Sequence, residues 1–231
     1  MKKRRKISQL RFEYKKNPLD IKNSDSNPFK QFNKWMKESI RNKIFEPTAM
    51  SLSTVNKRNK VSNRIVLLKG VVNNGFVFYT NLKSRKSYEL NTNKNVAAVF
   101  WWPQIGKQVR IEGYVKVVNK KEADHYFSTR SRESQIGAWA SNQSSELKNR
   151  KTLIKRFKII EKRFENKDVP RPSFWSGYEI KPFLIEFWQA RDHRLHDRIV
   201  YKRLKNKNWK NLLYFLYKYF SFYFFFLLIL L

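Results

Sequence analysis

The chain has 231 residues, with 50 Lys and Arg against 18 Asp and Glu, a formal charge of +32, and 41% hydrophobic and 16% aromatic residues. That apolar content supports a substantial core and excludes global disorder, and the length suits one large domain or two small ones. The absence of cysteine excludes disulfides, thiol nucleophiles and cysteine-ligated zinc or iron–sulfur centres.

Lysines are dispersed rather than gathered on one motif, and Lys, Asn, Ile, Phe and Tyr are abundant together, as AT-rich coding yields. The positive charge is therefore read as compositional, and no specific nucleic-acid partner is expected. Residues 1–24 are basic and polar without the apolar core of a secretory signal, so a cytoplasmic location is expected.

In chain order, residues 1–27 read as a basic arm. Asn27-Pro28 reads as an N-cap followed by proline at the first helical position, and Phe29, Phe32, Trp35, Met36 and Ile40 follow at helical spacing, which predicts a helix over 28–43. "AMSLSTV" and "RIVLLKGVV" read as strands, and "NNGFVFYTN" as a turn and a strand that makes a hairpin with the latter. "SRKSYELNTN" reads as a short helix and "VAAVFWW" as a buried strand stopped by Pro103. "KQVRIEGYVKVV" alternates, with Val109, Ile111, Val115 and Val117 on one face. "KKEADHYFSTR" and 146–165 read as helices, and "KPFLIEFWQA" and "DRIVYKR" as late strands. The pattern predicts a mainly antiparallel β fold with inserted helices (α+β), a small barrel with helical decoration. No G-x-G-x-x-G follows a strand, so a Rossmann domain is not supported.

One gap breaks the lysine scatter. No lysine occurs between Lys121 and Lys148, and "SRESQIGAWASNQSS" is built from small, neutral, hydrogen-bonding residues around one Trp. Near it, Tyr126, Arg130 and Ser134 are spaced four apart, which on one helix aligns a phenol, a guanidinium and a hydroxyl as a phosphate cradle. Arg64, Lys69, Tyr79, Thr80, Arg85 and Lys86 supply further cations and hydroxyls on adjoining elements. In "HRLH", a strand would place Arg194 and His196 on one face, towards one ligand. His193 and His196 lack a third ligand at suitable spacing, so no metal site is expected.

"RIVLLKG", "FVFYTNLKSRKSYEL", "QVRIEGYV", "YFSTRSRESQIGAWASNQS", "VPRP", "IEFWQ" and "RLHDR" occur in this order. Together they closely resemble the pyridoxamine (pyridoxine) 5′-phosphate oxidase family, from about residue 8 to about residue 210. The resemblance implies an FMN-binding split barrel working as a homodimer. The implied reaction oxidises pyridoxamine or pyridoxine 5′-phosphate by O₂ to pyridoxal 5′-phosphate and hydrogen peroxide. FMN would be lined by Arg64, Ile65, Val66, Leu67, Leu68 and Lys69, with Tyr79, Thr80, Arg85, Lys86, Gln108, Gln143, Ser144, Trp188 and Arg198. Lys69, Tyr126, Arg130 and Ser134 would hold the substrate phosphate. Arg194 and His196, with Leu195 between them, would flank the substrate ring as the catalytic pair, and Arg11, Phe12, Glu13 and Tyr14 would close over it. Glu46 sits where the family tends to carry a carboxylate near the substrate. A non-catalytic flavin-binding split barrel is the alternative, and the intact "YFSTR" and "RLHDR" argue against it.

The implied domains are a lid arm over 1–27, an oxidase domain over 28–211 that includes a C-terminal dimerisation region, and an apolar tail over 212–231. The tail departs from the family's compact last strand, which is either rebuilt from "NLLYFLY" or lost; the tail itself is read first as run-on translation of a lost reading frame in AT-rich sequence and second as a membrane anchor. A helix of its length reaches about 30 Å, so membrane contact is expected only if it inserts.

Overall fold

The computed structural model describes residues 18–214. Arg11, Phe12, Glu13 and Tyr14, and most of the tail, lie outside the described residues. Nine strands and five α-helices are found among the described residues, in an α+β fold. The hydrogen-bonded strand order is β2-β1-β5-β6-β7-β4-β3, with β8 on β7 and β9 on β8. Two compact units divide the chain: the described parts of 1–47, 99–111 and 183–231, and residues 48–98 with 112–182.

In the first unit, α1 (Pro28–Arg41) begins where the sequence predicts. The Asn27 side chain accepts hydrogen bonds from the Phe29 and Lys30 amides, two groups a helix start leaves unpaired, and Pro28 needs no such partner. The buried stripe of α1 is aromatic. Phe32 meets Phe100 at 5.1 Å, and Trp35 meets Phe187 edge-on at 5.1 Å. β7 (Trp175–Gln189) contributes its second half here, pairing residues 184–189 with β8 (Asp197–Arg203). β8 pairs in turn with β9 (Trp209–Leu213), and the Tyr214 amide donates to the Arg198 carbonyl. A last strand is therefore present, and the expected boundary at 211/212 falls inside it.

In the second unit, β1 (Ala49–Val55) and β2 (Val61–Leu67) form an antiparallel hairpin. "RIVLLKGVV" is two strands rather than one. After Leu68 the chain changes partners: the Leu68 amide still donates to Thr48 beside β1, the Lys69 amide donates to Val77, and β3 (Gly70–Val72) pairs with β4 (Gly75–Asn81). The β3–β4 turn uses Asn73 and Asn74 at φ 49° and 58°, the left-handed pair that a tight hairpin demands. α2 spans Arg85–Thr92. β5 (Asn95–Trp102) and β6 (Lys107–Val117) match the predicted runs, except that Val117 is 57% exposed because the alternation lapses at the strand's end. The predicted 146–165 helix is α5 (Arg150–Arg163), started by an Asn149 cap.

The "YFSTRSRES" stretch is also broken. α3 (Lys120–Ser128) ends and α4 (Arg132–Ala140) starts anew on a Ser131 cap, so Tyr126, Arg130 and Ser134 do not share one helix. Ser and Thr favour caps over helix interiors because their hydroxyls compete for backbone groups, which explains a break that spacing alone does not show.

Candidate active site

A cavity of about 1050 Å³ opens in the second unit, at the top of the range for one drug-sized ligand. Its walls come from β2 and Lys69 after it, β4, the start of α2, the end of α3 and its link to α4, α4 and the loop that follows it, and the first residue of β7. Among the described residues, Arg64, Lys69, Arg85, Lys86 and Arg130 line it, and no Asp or Glu does. Such a wall suits a ligand carrying strong negative charge.

Lys86 is 7% exposed, and its ammonium donates to Thr80 Oγ1 (2.9 Å), Ser84 Oγ (3.3 Å) and Gln143 Oε1 (3.3 Å). Burial and then the Arg64 charge push its pKa down to about 8, against the opposing pull of Glu89. Behind the wall, Glu89 is 5% exposed and gathers Arg64 at 3.3 Å, Arg85 Nε at 2.9 Å, Ser62 Oγ at 2.5 Å and the Thr54 hydroxyl. Burial alone would raise the Glu89 pKa. The hydrogen bonds from Ser62, Thr54 and Arg85 and the Arg64 charge outweigh it and hold the carboxyl at about 2. Arg64 also donates to Thr54 Oγ1 (2.5 Å), to the Leu52 carbonyl (3.2 Å) and to Ser62. Its guanidinium is thus fixed from several sides.

At the other end, Tyr126 stacks on Tyr79 at 3.9 Å, and Tyr79 stacks on Trp175 at 5.2 Å. Gly177 makes the flat Tyr79 ring possible, since a Cβ there would meet the ring at 2.8 Å. Burial, then Glu122 and Tyr126, push the Tyr79 phenol up to about 12, so it keeps its proton. Arg130 lies over the Trp175 ring at 4.8 Å and the Phe127 ring at 5.6 Å. Its Nη1 is buried with no hydrogen-bond partner among the described residues. Buried guanidinium donors are normally satisfied, so this one is available to a ligand that enters the cavity. Ser131, Ser134, Gly137, Ala138, Ser141, Gln143 and Ser144 complete the wall. An added Cβ at Gly137 would touch nothing within 4 Å, so this glycine leaves space in the cavity. The lysine-free stretch is therefore one wall of the site.

The cavity thus brings together Arg64, Ile65, Val66, Leu67, Lys69, Tyr79, Thr80, Arg85, Lys86, Tyr126, Arg130, Ser134, Gln143 and Ser144. Leu68 is buried outside its wall. Gln108, Trp188, Arg194, Leu195, His196 and Arg198 belong to the first unit. There, Arg198 grips the buried Glu186 with two hydrogen bonds of 3.0 Å, and Arg110 adds a third of 2.7 Å. Arg194 and His196 are not in a strand. Asp192–Arg194 is a 3-10 turn with His193 and Arg194 at φ 54° and 63°, two consecutive left-handed non-glycine residues. Such strain is characteristic of functional segments. The Arg191 amide donates to His196 Nδ1 at 3.0 Å, which leaves the ring proton on Nε2, and the ring packs on Trp188 at 4.4 Å. Burial and then Arg194 lower the His196 pKa, against Asp197. Glu46 is exposed at φ 44° in the same unit.

Sequence reasoning missed Glu89 and Trp175. The i,i+4 pair Arg85/Glu89 on a predicted helix was a usable signal for the first. Nothing local marked the second.

Residues 36–164 match the family model for pyridoxamine 5′-phosphate oxidase, and residues 175–213 match that for the pyridoxine 5′-phosphate oxidase C-terminal dimerisation region. The second match runs from the start of β7 to the end of β9. A pyridoxine/pyridoxamine 5′-phosphate oxidase of Leptospira interrogans is 46% identical over 205 residues, covering 89% of this chain and 96% of that protein. One of Rubrobacter xylanophilus is 46% identical over 200 residues, 87% and 92% of the two chains. Among solved structures, PhzG from Burkholderia lata, in complex with tetrahydrophenazine-1-carboxylic acid, superposes with a TM-score of 0.81 at 27% identity, over 87% of this chain and 98% of that one. A pyridoxamine 5′-phosphate oxidase-related, FMN binding protein from Nostoc punctiforme shares the fold, with a TM-score of 0.67 at 13% identity over 81% and 97%. These neighbours identify the antiparallel sheet as the split barrel expected from the sequence. With two family models covering most of its length and relatives at 46% identity, the chain belongs to the pyridoxine/pyridoxamine 5′-phosphate oxidase family.

Proposed function

We propose that this protein oxidises pyridoxamine and pyridoxine 5′-phosphate with FMN and O₂. The amine would react with O₂ and water to give pyridoxal 5′-phosphate, ammonia and hydrogen peroxide; the alcohol would react with O₂ to give pyridoxal 5′-phosphate and hydrogen peroxide. The observation that carries the reading is the buried Arg130 Nη1, unpartnered among the described residues, in a cavity that these line with five cations and no carboxylate. Two phosphate-bearing molecules are the ligands such a wall fits.

Arg64 and Lys86, with Arg85 beside them, would hold the FMN phosphate. Arg64 is already aligned by Glu89, and Lys86 by Thr80 and Gln143. Gln143 and Ser144 would serve polar atoms of the cofactor. Lys69, Tyr126, Arg130 and Ser134 would hold the substrate phosphate, and fixing that end sets the position of the reacting carbon. When bound, FMN supplies the acceptance of a hydride equivalent and its return to O₂. Arg194, Leu195 and His196 would flank the substrate ring, and the neutral His196 offers Nε2–H as a donor without adding charge. We assign Gln108, Trp188 and Arg198 to the same FMN site in a homodimer, as the family resemblance and the matched dimerisation region support. The 1–27 arm, with Arg11 to Tyr14, would be the lid. The test is hydrogen peroxide release by FMN-loaded protein supplied with pyridoxamine 5′-phosphate in air. Flavin retention with no peroxide from either substrate would favour the non-catalytic alternative.

Lys86 gives this reading a pH signature. A phosphate dianion selects the ammonium, so affinity is full below the depressed pKa of about 8 and falls as pH rises through it. FMN affinity should drop by up to about tenfold per pH unit above that point, as expected for one coupled proton. Lys86→Arg should flatten the profile, because a guanidinium does not titrate there. Fluorescence titrations between about pH 7 and 9 measure both. A flat wild-type profile would remove Lys86 from the phosphate site.

A further inference from the structure

α5 has two faces with different chemistry. Phe157 and Ile160 pack inward on a cluster containing Phe127, Ile136 and Phe164. Outward, Lys151, Lys155, Lys158 and Lys162 fall at i, i+4, i+7 and i+11, which places them in one row. All four are exposed, and Ile154 and Ile159, 47% and 56% exposed, flank the row. The six side chains line a shallow groove of about 430 Å³. Among the described residues, none of these lysines makes an ion pair with a carboxylate. Although lysine is dispersed along the sequence, the fold collects it here.

We propose that this face of α5 docks on an anionic lipid surface. Its row of cations needs a partner with many negative charges, and its isoleucines need one that also accepts apolar groups; the boundary between headgroups and acyl chains offers both. A second copy of the face would repel it. Residues 215–231 are apolar but carry Lys218 and no Asp or Glu, so they provide no counter-charge. RNA would answer the lysines and leave the isoleucines in water. The same apolar residues 215–231 add a charge-independent affinity for lipid, and stable peripheral attachment requires two such signals. Among the described residues no helix is long and apolar enough to cross a membrane, so α5 would lie on the surface.

The proposal rests on no part of the oxidase reading. Its test is flotation of the full chain with vesicles of phosphatidylcholine, with and without phosphatidylglycerol. The quadruple variant Lys151→Glu, Lys155→Glu, Lys158→Glu, Lys162→Glu should lose at least about tenfold in partition onto the anionic vesicles. The same reversal at the exposed Lys30, Lys37 and Arg41 of α1 and at Lys43 just after it should cost less than about threefold, because it changes net charge without touching the face. Unchanged melting temperatures would show that both variants fold. Equal losses from the two reversals would overturn the proposal, as would no loss from the first. It would also fail if binding to neutral vesicles accounts for all the partition, or if the protein is retained on RNA and not on anionic vesicles.

Discussion

Replacing Arg130 by alanine is expected to raise the KM for pyridoxamine 5′-phosphate by about 30- to 100-fold, the scale of one or two charge-assisted hydrogen bonds to phosphate. Arg130 is held over Trp175 and Phe127 by ring contacts rather than by a carboxylate. Truncation therefore removes a ligand donor without stranding a buried counter-ion. The phosphate is remote from the reacting carbon, so the lost interaction is shared by ground and transition states, and kcat should fall far less than kcat/KM. FMN affinity should stay within about threefold, because Arg130 sits with Tyr126 and Trp175 rather than with Glu89 and Lys86. Steady-state peroxide assays and flavin titration on one preparation separate these effects. An unaltered KM would remove Arg130 from the cradle.

Arg64→Ala should act on the other ligand, weakening FMN binding by about 10- to 100-fold. Two losses combine. The phosphate loses a guanidinium that is pre-aligned by Glu89, Thr54 and Ser62. Glu89, almost fully buried, loses one of its two arginines and keeps Arg85, Ser62 and Thr54. Its pKa of about 2 should then rise, since the Arg64 charge is among the influences that lower it. A carboxyl held below its usual pKa stabilises the fold at neutral pH and loses that contribution as pH falls. The variant should thus show a smaller loss of stability between about pH 5 and 2 than wild type. Arg64→Lys should recover only part of the FMN affinity, because an ammonium cannot reproduce the forked contact. Flavin fluorescence titration with unchanged affinity would exclude Arg64 from the clamp.

Much of this molecule was legible in its sequence because its elements obey local rules. Asn27-Pro28 fixes the start of α1, Asn73-Asn74 forms a hairpin turn, and Pro103 ends β5. The failures came where tertiary pairing or capping overrode periodicity. In "RIVLLKGVV" only Lys69 and Gly70 interrupt the strand formers, and they sit where the partner changes from β1 to β4 after Leu68. Ser131 starts a new helix, so Tyr126, Arg130 and Ser134 line one cavity without sharing the single helix that their four-residue spacing predicts. Arg194 and His196 were read as strand neighbours, whereas two left-handed residues bend the chain there. The lysine gap was the most informative signal at the site. Gly137, Ala138, Ser141, Gln143 and Ser144 form a wall of small and neutral side chains that leaves the cavity open.

The most direct test of the central reading is the reductive half-reaction in the absence of air. FMN-loaded protein is mixed with a slight excess of pyridoxamine 5′-phosphate, and flavin absorbance is followed together with product. The account predicts that flavin colour bleaches as one pyridoxal 5′-phosphate forms per bound FMN, and that colour returns with hydrogen peroxide on admitting O₂. Flavin that binds tightly yet stays oxidised with both pyridoxamine and pyridoxine 5′-phosphate would contradict it.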